Sequence, residues 1–208
     1  MAMEIIGRKV QMGNLFNDDG TAQTVTYIEL LPLTVTQVKT AEKDGYTAIQ
    51  VGYDRVPGHK LSRPENGHQK HIDGKPFKNL TEFRLDDVSA YSINQELGFD
   101  SLEPGAKVNV IGVSKGRGFA GGMRRHGFHG QSSSHGTKRV HRRPMSSGAT
   151  DAARVFKGTK KPGHMGHEQV TVKNLVVVLI DKETGILAIR GAVPGPPGRI
   201  VRIIPRAN

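Results

Sequence analysis

The 208 residues contain no cysteine, which excludes disulfides and thiolate metal sites and suits a reducing compartment. The opening MAMEIIGRKVQMG has no basic segment followed by an apolar core and a small-residue cleavage site, so no secretory signal is visible. The longest purely apolar run, Leu175 to Ile180, is far too short to cross a bilayer. No internal repeat is found and no G-x-S-x-G nucleophile elbow occurs. The expectation is a soluble intracellular protein with no membrane partner. Acid is missing from one place above all. Between Gly112 and His167 the only carboxylate is Asp151, against 12 of the 30 Lys and Arg residues.

That imbalance is local. The stretch carries +11, the formal charge of the whole chain, which leaves 18 basic and 18 acidic residues elsewhere. It also holds twelve glycines and six of the nine histidines, with few large apolar side chains: Phe119, Met123, Phe128, Val140, Met145, Val155, Phe156 and Met165. Ordering a backbone costs roughly 1 to 2 kcal/mol per residue, which so little apolar burial cannot offset. A polyanion can, because each cation that neutralises a phosphate releases condensed counterions. Nucleic acid is therefore the first candidate partner.

Outside this arm about 150 residues remain, enough for one modest core. Alternating, β-branched segments suggest strands at Glu4 to Val10, Thr24 to Leu31, Thr34 to Thr40, Gly45 to Tyr53 and Thr81 to Leu85, the first four as an antiparallel meander. Lys107 to Val113, Gln169 to Asp181, Gly185 to Val193 and Arg199 to Ile204 continue the series, with a hairpin at Lys182-Glu183-Thr184. Residues 55–80 read as a small irregular insertion with one short helix, in which His68 and His71 are solvated. Asp87 to Leu97 has weak helical character, with Gly98 as its stop. About seven short strands with little helix predict a mainly β fold, barrel or sandwich. The arm then leaves one strand and returns into another, an extended loop of a length that is usually functional or disordered when free.

Several motifs fall away on their context. Gly116-Arg-Gly118-Phe-Ala-Gly121 matches G-x-G-x-x-G, yet a dinucleotide site needs a helix opening there and an acid about 20 residues on, and the chain reaches Lys138 instead. These glycines suit positive φ or a close backbone approach to phosphate. His126, His129, His135, His141, His164 and His167 lack Cys or enough carboxylates to complete a zinc ligand set, and fit contacts to bases and phosphates better. Ser132-Ser133-Ser134-His135 has no acid to orient the imidazole. Asp86-Asp87 reads as a solvated face or a helix start. The doublets Arg124-Arg125, Lys138-Arg139, Arg142-Arg143 and Lys160-Lys161, interleaved with Phe119, Phe128 and Phe156, carry the signal: guanidinium groups bind phosphate in pairs of hydrogen bonds and stack on bases.

An ordered series of short matches then resembles the family of the third protein of the large ribosomal subunit, in its bacterial form. It comprises Ser114-Lys-Gly-Arg-Gly-Phe119, Arg124-Arg-His-Gly-Phe128, Ser134-His-Gly136, His141-Arg-Arg-Pro144, Val155-Phe-Lys-Gly158 and Lys160-Lys-Pro-Gly-His-Met-Gly166. Val170-Thr-Val172, Asn174-Leu175, Gly191-Ala-Val-Pro-Gly195, Glu82-Phe83-Arg84 and the opening Gly7, Lys9, Met12 and Phe16 extend it over essentially the whole chain. The sequence departs from the family pattern at Pro144-Met-Ser-Ser-Gly148, where P-G-S-I-G is usual, at Ala149, where some relatives carry a methylated glutamine, and at Gln11, where glycine is usual. That methylation is therefore not expected.

The resemblance implies a closed antiparallel β-barrel, residues 1–111 and 168–208, with residues 112–167 as a long basic rRNA-binding loop. It implies binding to large-subunit (23S-type) rRNA near its 3′ domain, an early role in assembly, and neighbouring large-subunit ribosomal proteins as partners, in the ribosomes of the cytoplasm or of an organelle. Candidate rRNA contacts are Lys115, Arg117, Arg124, Arg125, His126, Lys138, Arg139, His141, Arg142, Arg143, Arg154, Lys157, Lys160 and Lys161. The loop tip, expected near the peptidyl-transferase region, takes in Pro144, Ser146, Ser147, Gly148, Ala149 and Thr150. No catalytic residue, metal, cofactor or small-molecule substrate is expected. The alternative is another architectural nucleic-acid binder, DNA-compacting or RNA-chaperoning, with a nucleotide- or metal-dependent enzyme a distant third.

Overall fold

The computed structural model describes residues 3–99, 102–144 and 146–206. Met145, counted above among the arm's apolar side chains, lies outside them. In chain order the elements are β1 (Ile5–Phe16), β2 (Ala22–Leu30), β3 (Leu33–Lys39), α1 (Ala41–Asp44), β4 (Ala48–Arg55), α2 (Arg63–His68), β5 (Phe77–Arg84), β6 (Glu96–Leu97) and β7 (Lys107–Val113). There follow β8 (Phe119–Ala120), α3 (Gly122–His126), β9 (Gly163–His164), β10 (Gln169–Asp181), β11 (Ile186–Arg190) and β12 (Ile200–Pro205). The chain divides into two compact units, Met1–Val113 with Val170–Asn208, and Ser114–Gln169.

The first unit is built on two sheets. Six strands hydrogen-bond in a ring, in the order β1-β12-β7-β10-β11-β2, and four form a second sheet, β5-β4-β3-β6. Chain ends meet in the ring, where Ile5 pairs with Ile203. Alternation explains the inward faces: in β7, Val108, Val110 and Gly112 are buried between half-buried Asn109 and Ile111. Ile5, Ile28, Leu30, Val108, Val110, Leu187, Ile189 and Ile203 share one core. Ile6, Leu31, Leu33, Val35, Ile49, Val51 and Phe83 share another, under the second sheet. Ile5 and Ile6 thus point to opposite faces of β1 and fill two cores, and Leu30, at the end of β2, and the following Leu31 divide in the same way.

Several expectations need correction. There are twelve strands rather than about seven among the described residues, although three have only two residues. The first four strands do not make one meander, because the break at Pro32 moves the chain from the ring to the second sheet. β1 runs on past Val10 to Phe16, its register shifting between Lys9 and Gln11 before Met12 pairs with Thr26. That distal ribbon is largely exposed, so no core-facing pattern announces it. Asp87 to Leu97 is not helical. Asp87 accepts hydrogen bonds from the Ser89 N–H and hydroxyl, Asn94 takes a positive φ, and the segment ends in β6.

The insertion is more ordered than its composition suggests. Ser62 and Glu65 form a reciprocal capping box on α2, and the buried Gln69 amide bonds both the N–H and the carbonyl of Phe77. His68 and His71 are both exposed, as expected, although His71 also has its Nε2 2.8 Å from the Thr36 carbonyl. On the second sheet Lys39 donates to the Tyr46 hydroxyl and pairs with Glu82 at 2.8 Å. The Glu82 carboxylate holds the lysine above its ordinary range, and the lysine in turn holds Glu82 below its own.

Lys9 sets up the place where the chain leaves this unit. Its buried ammonium donates to the carbonyls of Val193 (2.7 Å) and Gly195 (2.9 Å), fixing the Gly191–Gly198 turn. A Cβ on Gly195 would sit 2.9 Å from the Val113 carbonyl. The end of β7 is therefore gripped just before the second unit begins.

Candidate nucleic-acid interface

The second unit starts as two antiparallel legs. The Ser114 N–H donates to the Glu168 carbonyl at 2.9 Å, the Arg117 N–H to Met165 and the Met165 N–H to Gly118, and β8 pairs with β9 at Phe119–His164. The legs approach so closely that a Cβ on Gly166, whose φ is +74°, would lie 2.1 Å from the Lys115 carbonyl. Beyond them α3 opens at Gly122. A helix therefore does follow the G-x-G-x-x-G match, but it has five residues and carries Arg124, Arg125 and His126 in its last turn, with no acid in its first.

This helix is tied to the returning leg at one atom. Arg125 Nη1 donates to the Lys161 carbonyl at 2.8 Å, and His126 Nε2 lies 3.0 Å from the same oxygen, a contact that requires the proton on Nε2. Further out the Gln131 N–H donates to the His141 carbonyl, and His141 Nδ1 lies 3.1 Å from the Ser132 carbonyl. Gly130 lets these strands touch, since a Cβ there would meet the His141 carbonyl at 2.6 Å. Lys161 Nζ donates to the Ser147 hydroxyl, and the Arg154 guanidinium lies over the Phe156 ring.

The structure thus sorts the candidate contacts into two kinds. Arg125, His126, His141, Arg154 and Lys161 each engage another part of the arm. The side chains of Lys115, Arg117, Arg124, Lys138, Arg139, Arg142, Arg143, Lys157 and Lys160 make no hydrogen bond or ion pair among the described residues. The doublets Arg124-Arg125 and Lys160-Lys161 split, one member facing inward and one outward. The ion pairs Arg8–Glu29, Arg8–Asp54, Lys39–Glu82 and Arg202–Glu4 belong to the first unit. Phe119 is 79% exposed and Phe156 56%. Free cations and an exposed ring such as Phe119 are suited to phosphates and unstacked bases.

The tip residues Pro144, Ser146, Ser147, Gly148, Ala149 and Thr150 are all exposed, with Ser146 Oγ donating to the Gly148 carbonyl. The six histidines of the arm are dispersed, and among the described residues no three His, Asp or Glu side chains gather as a metal site would require. One feature had no signal in the sequence. Met123 and Phe128 from around α3 come together with Arg142, Arg143 and Pro144 about a concavity of roughly 250 Å³.

Residues 84–186 match the family model for ribosomal protein L3. The chain is 48% identical to the large ribosomal subunit protein uL3 of Pelotomaculum thermopropionicum over 98% of its own length and 96% of the relative's. The corresponding figures are 47%, 98% and 97% for uL3 of Carboxydothermus hydrogenoformans, and 46%, 95% and 91% for that of Clavibacter michiganensis. The chain belongs to the ribosomal protein L3 family. Membership of the L3 family extends over both units, since these alignments leave out only a few residues of the chain.

Proposed function

We propose that this protein is a non-enzymatic, structural constituent of the large ribosomal subunit in the cytoplasm, binding 23S-type rRNA near its 3′ domain early in assembly. In this reading the six-stranded ring is a closed antiparallel barrel that sets the register on the RNA and meets neighbouring ribosomal proteins. Residues 112–167 act as the rRNA-binding loop, with the tip at Pro144 to Thr150 reaching toward the peptidyl-transferase region. The observation that carries the reading is the segregation of charge: nine cations of the second unit have no hydrogen-bond or ion-pair partner among the described residues, while ion pairs of the first unit such as Arg8–Asp54 and Lys39–Glu82 join its own charges. Unpaired cations on a glycine-rich backbone are what a phosphate lattice neutralises. The protein should sediment with the large subunit in a sucrose gradient of native extract and be released only by high salt. Sedimentation with the nucleoid, or free at the top of the gradient at low salt, would refute the assignment and favour a different nucleic-acid binder.

A further inference from the structure

The concavity formed by Met123, Phe128, His129, Arg142, Arg143 and Pro144 lies wholly within the second unit and is not explained by phosphate neutralisation alone. Its lining combines a thioether, a phenyl ring and a proline ring with two guanidinium-bearing residues and a histidine. At roughly 250 Å³ it is smaller than the roughly 300 to 1,000 Å³ of pockets for drug-sized ligands, and it suits one planar group better than a folded peptide. We infer that it is a receptor for a single unstacked RNA base, with the phosphates flanking that base held by Arg142 and Arg143. This rests on the RNA-binding reading above and assigns one part of the arm a task distinct from the rest.

Three observations favour this occupant. First, the electrostatics select an anion. Arg142 and Arg143 have no partner among the described residues, and Asp151 is the only acid between Gly112 and His167. Second, the aromatic wall is held in place rather than loose. Phe128 closes back on α3 through its N–H to the Gly122 carbonyl, its ring packs where a Cβ on Gly122 would be 2.7 Å from it, and His126 lies 5.8 Å from the ring centroid. A fixed ring offers a stacking platform at little entropic cost. Third, the two sides are brought together by a dedicated contact, the approach of Gly130 to the His141 carbonyl, with the Met123 methyl 3.3 Å from the position of a Gly130 Cβ. A plain electrostatic arm has no need of that closure.

The test uses the purified full chain and two RNA hairpins identical except that one carries a single bulged 2-aminopurine. The bulged hairpin should bind roughly tenfold more tightly than the fully paired one, as expected for one base stacked on an aromatic ring, and its fluorescence should change on binding. Phe128→Leu keeps apolar bulk but removes the π-face. It should abolish the preference and the fluorescence change while leaving the affinity for the paired hairpin, and its salt dependence, in place. Met123→Ala provides the same comparison if the leucine variant loses structure. Equal affinity for both hairpins, or a preference indifferent to both substitutions, overturns the base receptor and leaves the RNA-binding arm standing. Failure to bind either hairpin at low salt overturns both.

Discussion

Lys138, Arg142 and Arg143 give the sharpest way to separate RNA anchoring from folding. None of the three side chains has a partner among the described residues, so replacing them together with Ala removes no intrachain hydrogen bond or ion pair. Their loss should reach only the bound state. Each phosphate contact on duplex RNA contributes about 0.9 to the slope of log K against log salt, so nine free cations set an upper slope near 8 and the triple substitution lowers it by about 2.7. At about 0.15 M salt the same counterion release is worth about 1 kcal/mol per contact, which makes the variant bind roughly a hundredfold more weakly. The assay is filter binding of large-subunit rRNA across a salt series, with a thermal melt of each free protein alongside. The melting temperature should stay within a degree or two of the parent, and subunit assembly should be impaired. An unchanged slope with normal assembly would show that these cations are solvated in the complex. A melt lowered by many degrees would show that they serve the fold.

Lys9→Met makes the opposite prediction. It leaves the buried carbonyls of Val193 and Gly195 without their charged donor, at a cost of about 2 to 4 kcal/mol, so the melting temperature should fall by roughly 5 to 10 °C while the salt slope of RNA binding is preserved. An unaltered melt would contradict the role given to that ammonium. The Lys39–Glu82 pair should appear in the pH dependence of stability. Because Glu82 titrates below its ordinary value when folded, its contribution is present above the ordinary carboxylate range and is lost as pH falls through the depressed folded value. Denaturant unfolding of Glu82→Gln should therefore differ from the parent at neutral pH and converge with it in acid, by a small amount because both side chains are partly exposed. Parallel curves down to low pH would remove the pair from the account.

Much of the fold could be read from periodicity, and the misreadings have physical causes. In β7, Val108 and Val110 alternate with Asn109 and face one core, whereas in β12 Val201 and Ile203 meet that core while Ile200 packs against the other. β1 does not alternate, since Ile5 and Ile6 serve two cores and the strand then continues as an exposed ribbon. Val88 and Tyr91 are spaced like one face of a helix, yet they reach the second core from successive turns, and a left-handed Asn94 is incompatible with helix. The capping box Ser62-x-x-Glu65 was a readable helix start within a segment dominated by its Gly, Pro and His content. In the arm, composition pointed to a polyanion partner but could not divide the doublets, because whether Arg125 or Arg124 faces the returning leg depends on a five-residue helix fixed by tertiary contacts. The concavity is harder still, depending on backbone contacts between segments more than ten residues apart.

The segregation of charge also explains how one chain can carry both parts. Had the excess positive charge been spread over the ring and the second sheet, it would have acted against itself within the structure that holds both cores. Confined largely to a segment joined to that structure at both ends, after Val113 and before Val170, where 12 basic residues stand against Asp151 and Glu168, it leaves the first unit with 18 basic and 17 acidic residues, close to neutral. The second unit cannot be held by burial, since Ala120 and Gly122 are its only buried residues among those described. What holds it is backbone hydrogen bonding between the legs and the carbonyl of Lys161, at a net contribution of about 1 kcal/mol per bond, against like charges that oppose compaction. Those two effects oppose each other, and a bound polyanion would reverse the sign of the second. On the proposed function, the free chain holds its legs in register through these bonds, and RNA binding would supply the energy that sets the rest.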